Sequence, residues 1–445
     1  MKTKLPRFFS LVLAVILLLL PFSGCGKGRT LDDLKPTDEL VLYLPQSMEK
    51  YITMDYIVPY RELYPDVRVR MVVVPGDEDL TDDSWPDYTE RVVGDTLGGD
   101  GPDVLFLRYL PNLDAEKAAL NHSILDLTDL LASDPDFHEE DYVDGVMDAV
   151  KLDGRQYIMP LSFRVPIYLS DREKLKELGF SWDGIGTTSD FMEELARLTP
   201  IAAQNEAFLQ LLESKNHFYE MFSAAGIRLL DYEKGTVLPD EAALHDFIRG
   251  YRTFYPCDYD PSSPDYMQNF CSEELMRGGY YFWWACYLYS VNWQIDEMMV
   301  ASHTYEIGTL PSQTGDAVGQ IYSAMAINAA SKNVLNAYNF IKLMLSEDLQ
   351  RTNYSTLAPF VPINKGAIRA TVDGRFPMRS SAYLTPEERD AIYETYTGMD
   401  RFTPMPRESL FDMLWEAMLP YLQDDASYED CLTELKRKLT FYLSE

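Results

Sequence analysis

Gly99-Asp100-Gly101-Pro102-Asp103-Val104-Leu105-Phe106-Leu107 is the stretch that decides the fold. Its glycines and proline end a predicted helix, Tyr88 to Leu97, and the apolar residues from Val104 onward are typical of a buried strand. The same order of elements occurs upstream, where Glu39 to Leu44 and Val67 to Val74 are strand-like and flank a predicted helix. Strands that alternate with helices predict βαβ units and a mostly parallel sheet.

Residues 1–24 have the features of an export signal. Lys2, Lys4 and Arg7 precede an apolar run, Leu11 to Leu20, and no acidic residue occurs before Cys25. That run is about half of the roughly 20 residues that a membrane-spanning helix needs. The pattern therefore predicts a cleaved signal peptide, followed by a short polar tether over residues 25–37.

Composition and charge indicate a globular protein that does not bind nucleic acid. Hydrophobic residues make up 46% of the 445 residues and charged ones 25%, which is typical of a globular chain. The formal charge is −32, and loss of residues 1–24 removes three basic residues and no acidic one, which makes it −35. Such a charge argues against nucleic acid as a partner, because phosphate binding depends on Lys and Arg.

Signals for catalysis or metal binding are weak. The sequence has no nucleophile elbow, zinc-protease motif or phosphate-binding loop, and its five histidines are scattered. We therefore expect no cofactor, no metal and no enzymatic activity. Apart from Cys25 the cysteines lack the spacing of a zinc site, and three disulfide pairings or none remain open. These cysteines are Cys257, Cys271, Cys286 and Cys431.

Ordered motifs along the chain carry a resemblance to a known family. They are Tyr64-Pro65-Asp66-Val67-Arg68-Val69, Gly99 to Val104, Ile124-Leu125-Asp126-Leu127-Thr128, Gly154-Arg155-Gln156-Tyr157-Ile158-Met159-Pro160, Gly308-Thr309-Leu310-Pro311, Ser331-Lys332-Asn333 and Ser427-Tyr428-Glu429-Asp430. This set resembles the extracellular solute-binding proteins of ABC importers, in particular the carbohydrate-binding group related to maltose-binding protein. Each motif alone is weak, and their order is the specific signal.

A second resemblance concerns the end of the signal peptide. The residues up to Cys25 are similar to the lipobox of bacterial lipoproteins, with Phe22 where that motif usually has an aliphatic residue. The resemblance implies a lipid on Cys25 and attachment to the outer face of the cell membrane. An ordinary secretory signal with an incidental cysteine is the alternative.

The family resemblance implies an α/β fold of two lobes, the type II periplasmic-binding-protein-like fold, with a ligand cleft between them. Each lobe is then discontinuous, with residues 38–160 and 318–357 in the first and residues 161–317 and 358–445 in the second. Crossover segments are expected near Met159 to Arg164, near Pro311 to Ile321 and near Leu357 to Val361. Hinge closure of such lobes around a ligand is what an importer senses.

Candidate ligand-binding residues follow from position and side-chain chemistry. Ligands bind beyond the C-terminal ends of the strands in open α/β sheets, and sugars suit aromatic rings combined with fixed polar groups. We therefore predict a site from loop residues, crossover residues and an aromatic-rich segment. The residues are Gln46, Trp85, Arg108 and Tyr109 on loops, Arg164 and Phe360 on crossovers, and Trp283, Trp284 and Tyr287 in the aromatic segment.

Structural explanations compete with these assignments. Tyr109 is also suited to covering the end of its strand, and Trp85 to packing against its own helix. Aromatic stretches are more often part of a core than of a ligand site.

The function expected from these observations is a monomeric receptor that captures a carbohydrate and delivers it to ABC permease subunits. A receptor that presents its ligand to a membrane kinase is an alternative that the sequence does not separate from transport. A lipid-anchored glycoside-active enzyme is a weaker alternative, because no catalytic motif supports it.

Overall fold

The computed structural model describes residues 29–75, 86–110, 113–171, 176, 179–202, 214–255, 282–285, 305–352, 361–373, 385–405 and 407–444. The predicted signal peptide, Cys25, Trp85, Tyr287 and Phe360 lie outside these residues. Trp283 and Trp284 are described as backbone positions only.

The strands alternate with helices over much of the described chain. They are β1 Glu39–Pro45, β2 Arg68–Val74, β3 Val104–Phe106, β4 Lys151–Leu152, β5 Arg155–Gln156, β6 Ile158–Arg164, β7 Ile167–Asp171, β8 Leu230–Asp231, β9 Thr236–Val237, β10 Phe282–Ala285, β11 Tyr305–Thr309, β12 Val318–Ile327, β13 Val361–Pro362 and β14 Arg401–Thr403.

The helices include short ones at the start of the chain and longer ones at its end. They are α1 Glu49–Ile52, α2 Val58–Leu63, α3 Pro86–Leu97, α4 Ala115–Leu120, α5 Thr128–Ser133, α6 Thr188–Ala202, α7 Ser214–Ala225, α8 Glu241–Phe254, α9 Val334–Met344, α10 Glu347–Thr352, α11 Lys365–Val372, α12 Pro386–Thr397, α13 Glu408–Leu422 and α14 Tyr428–Ser444. One π-helical turn, Thr53–Ile57, joins α1 to α2.

The first hydrophobic core forms around a mixed sheet. Strand β12 lies between β6 and β14 in this sheet, β13 extends it beyond β6, and β3 also pairs with β12. All seven residues of β6 are buried. The parallel pair of β1 and β2 packs against the same core. The residues of this core come from two stretches of the sequence, Leu40 to Val165 and Ile321 to Phe402.

The second core is formed mainly by helices. On α8, the buried residues Leu244, Phe247, Ile248, Tyr251 and Phe254 follow helical spacing, so they share one face. The Phe247 and Tyr251 rings lie 5.6 Å and 4.8 Å from the ring of Phe218 on α7. A sheet of β10, β7 and β11 belongs to this half, and the core extends to residues of α13 and α14.

The chain passes between the two halves three times within the described residues. It leaves the first sheet after Arg164 and enters the second sheet at Ile167. It leaves the second sheet after Thr309 and re-enters the first at Val318, close to the second expected crossover. The third passage lies between β14, in the first sheet, and α13, in the second core.

Two expectations from the sequence differ from this architecture. The described strand pairs are mostly antiparallel, because β12 returns from the second half and meets β6 and β3 in the opposite direction. Ile368, Val372, Ile392 and Tyr396, in a range assigned to the second lobe, pack in the first core. The third passage therefore lies between Thr403 and Glu408 rather than near Leu357 to Val361, because β13 pairs with Phe163 and Ser162 of β6.

The family motifs meet in space although they are far apart in sequence. The buried Asp103 carboxylate accepts hydrogen bonds from Val41 N at 2.6 Å, Ser331 Oγ at 2.6 Å and Asn333 Nδ2 at 3.0 Å. It thereby ties the loop before β3 to β1 and to the segment that precedes α9. Hydrogen bonding to all of these donors compensates for burying the charge.

Candidate functional site

Arg164, at the end of β6, contacts groups from both halves of the molecule. It lies opposite Gln320 of β12, and its Nε donates a hydrogen bond to Gln320 Oε1. Its Nη2 donates to Tyr219 Oη at 2.8 Å, from α7 of the second core. The residue is 6% exposed. The guanidinium group is therefore held where the first passage begins.

A second arginine shares an aromatic neighbour with Arg164. Arg108 lies in a 3-10 turn, Leu107–Tyr109, directly after β3. Its guanidinium carbon is 4.8 Å from the ring centre of Tyr322 on β12, and that of Arg164 is 5.6 Å from the same ring. We call Arg108, Arg164, Tyr219, Gln320 and Tyr322 the arginine–tyrosine cluster.

Aromatic hydroxyls near the cluster keep their protons. Burial raises the pKa of Tyr219, against the opposing effect of the Arg164 charge. Burial likewise raises the pKa of Tyr109, against the effect of Arg108. Both phenols are thus neutral hydrogen-bonding groups near neutral pH.

Tyr109 is buried in the first core and is 2% exposed. This burial favours the alternative that it covers the end of β3. The Arg108 guanidinium carbon lies 5.8 Å from its ring centre. The buried ring of Tyr109 therefore packs near the Arg108 guanidinium group.

Three other predicted site residues, Gln46, Trp283 and Trp284, lie on elements outside the cluster. Gln46 is exposed in a 3-10 turn, Gln46–Met48, at the end of β1. In β10, Trp283 is paired with Leu169 and Trp284 with Tyr168 of β7. Trp85, Tyr287 and Phe360 lie outside the described residues, so their part in the site remains a prediction.

A cavity of about 150 Å³ lies beside the cluster. Tyr219, Ser223 and Gln320, which are hydrogen-bond partners of Arg164, all contribute to its wall. Other walls come from apolar residues of the second core, including Phe222 and Phe411. The cavity therefore lies between the two cores and has both polar and apolar surfaces.

Arg407, from the third passage, lines the same cavity. Its Nη1 lies 2.7 Å from Asp114 Oδ2, and its Nη2 contacts the Glu116 carboxylate. The same Asp114 oxygen accepts hydrogen bonds from the hydroxyls of Tyr232 and Tyr442, each at 2.9 Å. Asp114 and Glu116 lie at the start of α4, and both tyrosines pack against the second core. This group is a polar bridge between the halves.

Glu116 holds its proton more tightly than an ordinary glutamate. Burial first, and the neighbouring Asp114 carboxylate second, raise the pKa of Glu116 to about 8. The guanidinium of Arg407 thus contacts one carboxyl group, that of Glu116, whose pKa lies well above its ordinary value.

Sequence reasoning missed Tyr219, Tyr322 and the Arg407 bridge. Gln320 falls within the expected second crossover, Pro311 to Ile321, so the sequence contained a signal for a site residue at this position. Tyr219 lies on α7, a helix that was not predicted. Nothing local to Arg407 indicates contacts with residues nearly 300 positions earlier, at 114 and 116.

The described parts of the chain contain neither a cluster of metal-binding side chains nor a membrane-spanning helix. No group of three or more His, Cys, Asp or Glu residues there is arranged to hold a metal ion. None of the helices in these parts has the length and hydropathy to cross a bilayer. Cys431 is a buried free thiol. Cys257, Cys271 and Cys286 lie outside the described residues.

Comparison with solved structures finds the same architecture in bacterial binding proteins. The sugar-binding protein MalE from Xanthomonas citri is 15% identical, with a TM-score of 0.62 over 91% of this chain and 97% of that one. A putative oligosaccharide periplasmic-binding protein from Synechococcus is 16% identical, with a TM-score of 0.61 over 91% and 99%. A Listeria monocytogenes ABC substrate-binding protein in complex with cycloalternan is 17% identical, with a TM-score of 0.56 over 91% and 99%.

These likenesses show the two-lobed fold of type II binding proteins. Comparison with curated protein sequences finds no significant match. The family model for bacterial extracellular solute-binding proteins matches residues 80–387, which is most of the chain. The chain belongs to this family of extracellular solute-binding proteins.

Proposed function

We propose that this protein captures a carbohydrate between its two halves and delivers it to the permease of an ABC importer. The observation that carries the proposal is the position of Arg164. Its guanidinium group contacts Gln320 on a strand of the first sheet and Tyr219 on a helix of the second core. A ligand placed there touches both halves, so binding favours the closed arrangement.

The chemistry of the cluster suits a sugar. Gln320 and Tyr219 offer amide and hydroxyl groups to sugar hydroxyls, and the apolar side chains of the neighbouring cavity suit sugar C–H groups. Arg108 and Arg164 provide charged donors beside the Tyr322 ring. The solved relatives with bound or named sugar ligands support this class of solute.

The remaining predicted residues extend the proposed site. Gln46 and Trp85 are proposed ligand contacts from the first half, where the buried Tyr109 is proposed to contribute through Arg108, and Phe360, next to β13 in the sequence, is proposed as a further contact. Trp283, Trp284 and Tyr287 are the proposed aromatic contributions from the second half. The two proposed lobes follow the two hydrophobic cores.

Titration calorimetry with a panel of mono- and oligosaccharides tests the proposed solute class. We expect at least one saccharide to bind with a dissociation constant in the micromolar range or below. Small-angle scattering with that saccharide should show a smaller radius of gyration, because the lobes close around it. Binding of a different solute class, with no response to any saccharide, would disprove the carbohydrate assignment.

We further propose that a lipid on Cys25 holds the protein at the outer face of the membrane. The basic, apolar and small residues before Cys25 support this proposal. In cells of a bacterial host, the wild type should partition into the detergent phase and incorporate labelled palmitate. Cys25→Ala should lose both properties. Equal labelling of wild type and variant would contradict the lipid anchor.

Delivery to a permease and the monomeric state are testable separately. The genes next to this one should encode two permease subunits, whereas a lone membrane kinase gene would favour the sensing alternative. The purified protein should sediment as a single species near its monomer mass.

A further inference from the structure

We infer that the polar bridge is a latch: it favours the joined arrangement of the two halves through the protein's own side chains, and it has to open before a solute enters. The bridge consists of Asp114 and Glu116 in the first half and of Tyr232, Arg407 and Tyr442 in the second. The latch itself does not depend on which solute the protein binds, so this inference goes beyond the proposed function.

Three separate elements of the second half converge on one carboxylate oxygen of the first. Tyr232 lies in the turn between β8 and β9, Arg407 directly precedes α13, and Tyr442 lies near the end of α14. The two tyrosine hydroxyls donate to Asp114 Oδ2 at 2.9 Å, and Arg407 Nη1 lies 2.7 Å from the same oxygen. Moving the second half away from α4 therefore breaks several bonds at once.

Two further contacts between the halves lie beside the bridge. Lys117 of α4 donates to the main-chain carbonyl of Tyr442, and its ammonium group lies 4.2 Å from the centre of the Tyr442 ring. Asp153 N, in the turn between β4 and β5, donates to Glu233 Oε1 at 2.6 Å. Neither α14 nor the turn that holds Tyr232 and Glu233 is one of the three passages, so chain connectivity alone does not impose these contacts.

Bonds of this kind are strong enough to bias the equilibrium between joined and separated halves. A hydrogen bond to a charged group shifts an equilibrium by about tenfold or more. The side chains of Asp114, Glu116 and Arg407 are largely buried, so water competes little with the bonds between them. The joined arrangement is therefore favoured by the protein alone, and a solute that binds between the halves adds to this preference.

The bridge also controls access to the cavity. Glu116, Tyr232 and Arg407 belong both to the polar bridge and to the cavity wall. Glu116 comes from the first half and the other two residues from the second, so separation of the halves draws these parts of the wall apart. Breaking the bridge and widening the cavity are thus one movement.

Small-angle X-ray scattering without any saccharide tests the latch itself. The double variant Tyr232→Phe/Tyr442→Phe removes two hydroxyls that donate to Asp114 and keeps both rings. It should have a larger radius of gyration than wild type, because more of its molecules have separated halves. The control Tyr338→Phe removes a comparable bond, to Asp134, within the first half and should keep the wild-type radius.

The rate of saccharide binding tests whether the latch opens first, and this measurement rests on the proposed carbohydrate function. If a saccharide enters only the open form, binding is slowed in proportion to the fraction of molecules that is open. In stopped-flow fluorescence, Tyr232→Phe and Tyr442→Phe should each associate about 3- to 10-fold faster than wild type, since each loses one hydrogen bond of the latch. Tyr338→Phe should stay within about twofold of wild type.

Folding of the variants is checked by thermal unfolding. If a tyrosine variant does not fold, Glu233→Ala provides a second test, because it removes only the exposed contact with Asp153 N. This variant should also increase the radius of gyration and the association rate, by smaller amounts than the double variant.

The outcomes separate the latch from the proposed function. A wild-type radius and a wild-type association rate in the double variant would overturn the latch and leave the carbohydrate function intact. An unchanged radius with faster dissociation alone would also overturn it, because the bridge residues would then contact the solute directly. An enlarged radius without binding of any saccharide would support the latch and count against the proposed function.

Discussion

Arg407 lies 2.7 Å from Asp114 across the boundary between the two hydrophobic cores. Asp114 also caps α4, because its Oδ1 accepts a hydrogen bond from Lys117 N at 2.8 Å. The side chains of Arg407, Asp114 and Glu116 are 8%, 12% and 14% exposed. One residue of the third passage thus connects the helix of one half to the tyrosines of the other.

Arg407→Met should destabilise the protein strongly. The substitution leaves the Asp114 carboxylate buried without its cation and Glu116 without its guanidinium partner, and breaking such a buried pair costs about 3–5 kcal/mol. Urea unfolding measures the loss. The control Arg437→Met breaks an exposed pair on α14 and should cost at most about 1 kcal/mol. Similar losses in the two variants would mean that the bridge has no special role.

Asp103→Ala should destabilise the first half. It removes the acceptor of three hydrogen bonds and leaves Val41 N, in a buried strand, without that partner. A buried unsatisfied group costs about 1–3 kcal/mol, so we expect a loss of about 3 kcal/mol in the free energy of unfolding. The exposed Asp66→Ala should stay within about 0.5 kcal/mol of wild type. An unchanged midpoint for Asp103→Ala would show that the motif does not need its carboxylate.

The lowered pKa of Asp134 makes the free energy of unfolding depend on pH. Burial alone would raise its carboxyl pKa, but hydrogen bonds from Lys342 and Tyr338, both at 2.8 Å, lower the pKa of Asp134 below its ordinary 3.8. A folded-state pKa below the unfolded one adds stability above about pH 4, which is lost as the pH falls through the folded value.

The variant Asp134→Asn tests this linkage. It should be less stable than wild type at pH 7 and should lose less stability between about pH 4 and pH 2. Denaturant unfolding at several pH values provides the comparison, and Asp66→Asn serves as the exposed control. A wild-type pH profile in Asp134→Asn would rule out this contribution.

Two glycines should respond to alanine in opposite directions. A Cβ on Gly319 of β12 would meet the Phe402 ring, with Cδ1 at 2.6 Å, so Gly319→Ala should cost about 1–3 kcal/mol. Gly94 lies exposed in α3 with no heavy atom within 4 Å of its added Cβ. Gly94→Ala should therefore stabilise the helix by about 0.5–1 kcal/mol. Thermal unfolding distinguishes the two signs, and a stabilising Gly319→Ala would contradict the packing described here.

Local patterns predicted many of the elements in both halves. Strand β2 was expected from its apolar run, and α8 was predicted with the observed bounds, Glu241–Phe254. Arg164 was also predicted as a residue of the first crossover. These predictions succeed because strand and helix periodicity depends on neighbours in the sequence.

Strand direction and the third passage were not predictable in the same way. Whether β12 runs parallel or antiparallel to β6 depends on the path that the chain takes between residues 164 and 318. The packing of α11 and α12 in the first core depends on which apolar surface of that core the other elements leave uncovered. Neither property is visible in the periodicity of the segment concerned.

The sequence alone was sufficient for the α/β class, the family and an arginine on a crossover, because these follow from local periodicity and ordered motifs. Only the tertiary structure showed that Arg108 and Arg164 share the ring of Tyr322, and that Arg407 faces Asp114 and Glu116. These groups come from segments tens to hundreds of residues apart. The first set is brought together by strand pairing in the first sheet, and the second by how the two halves pack together.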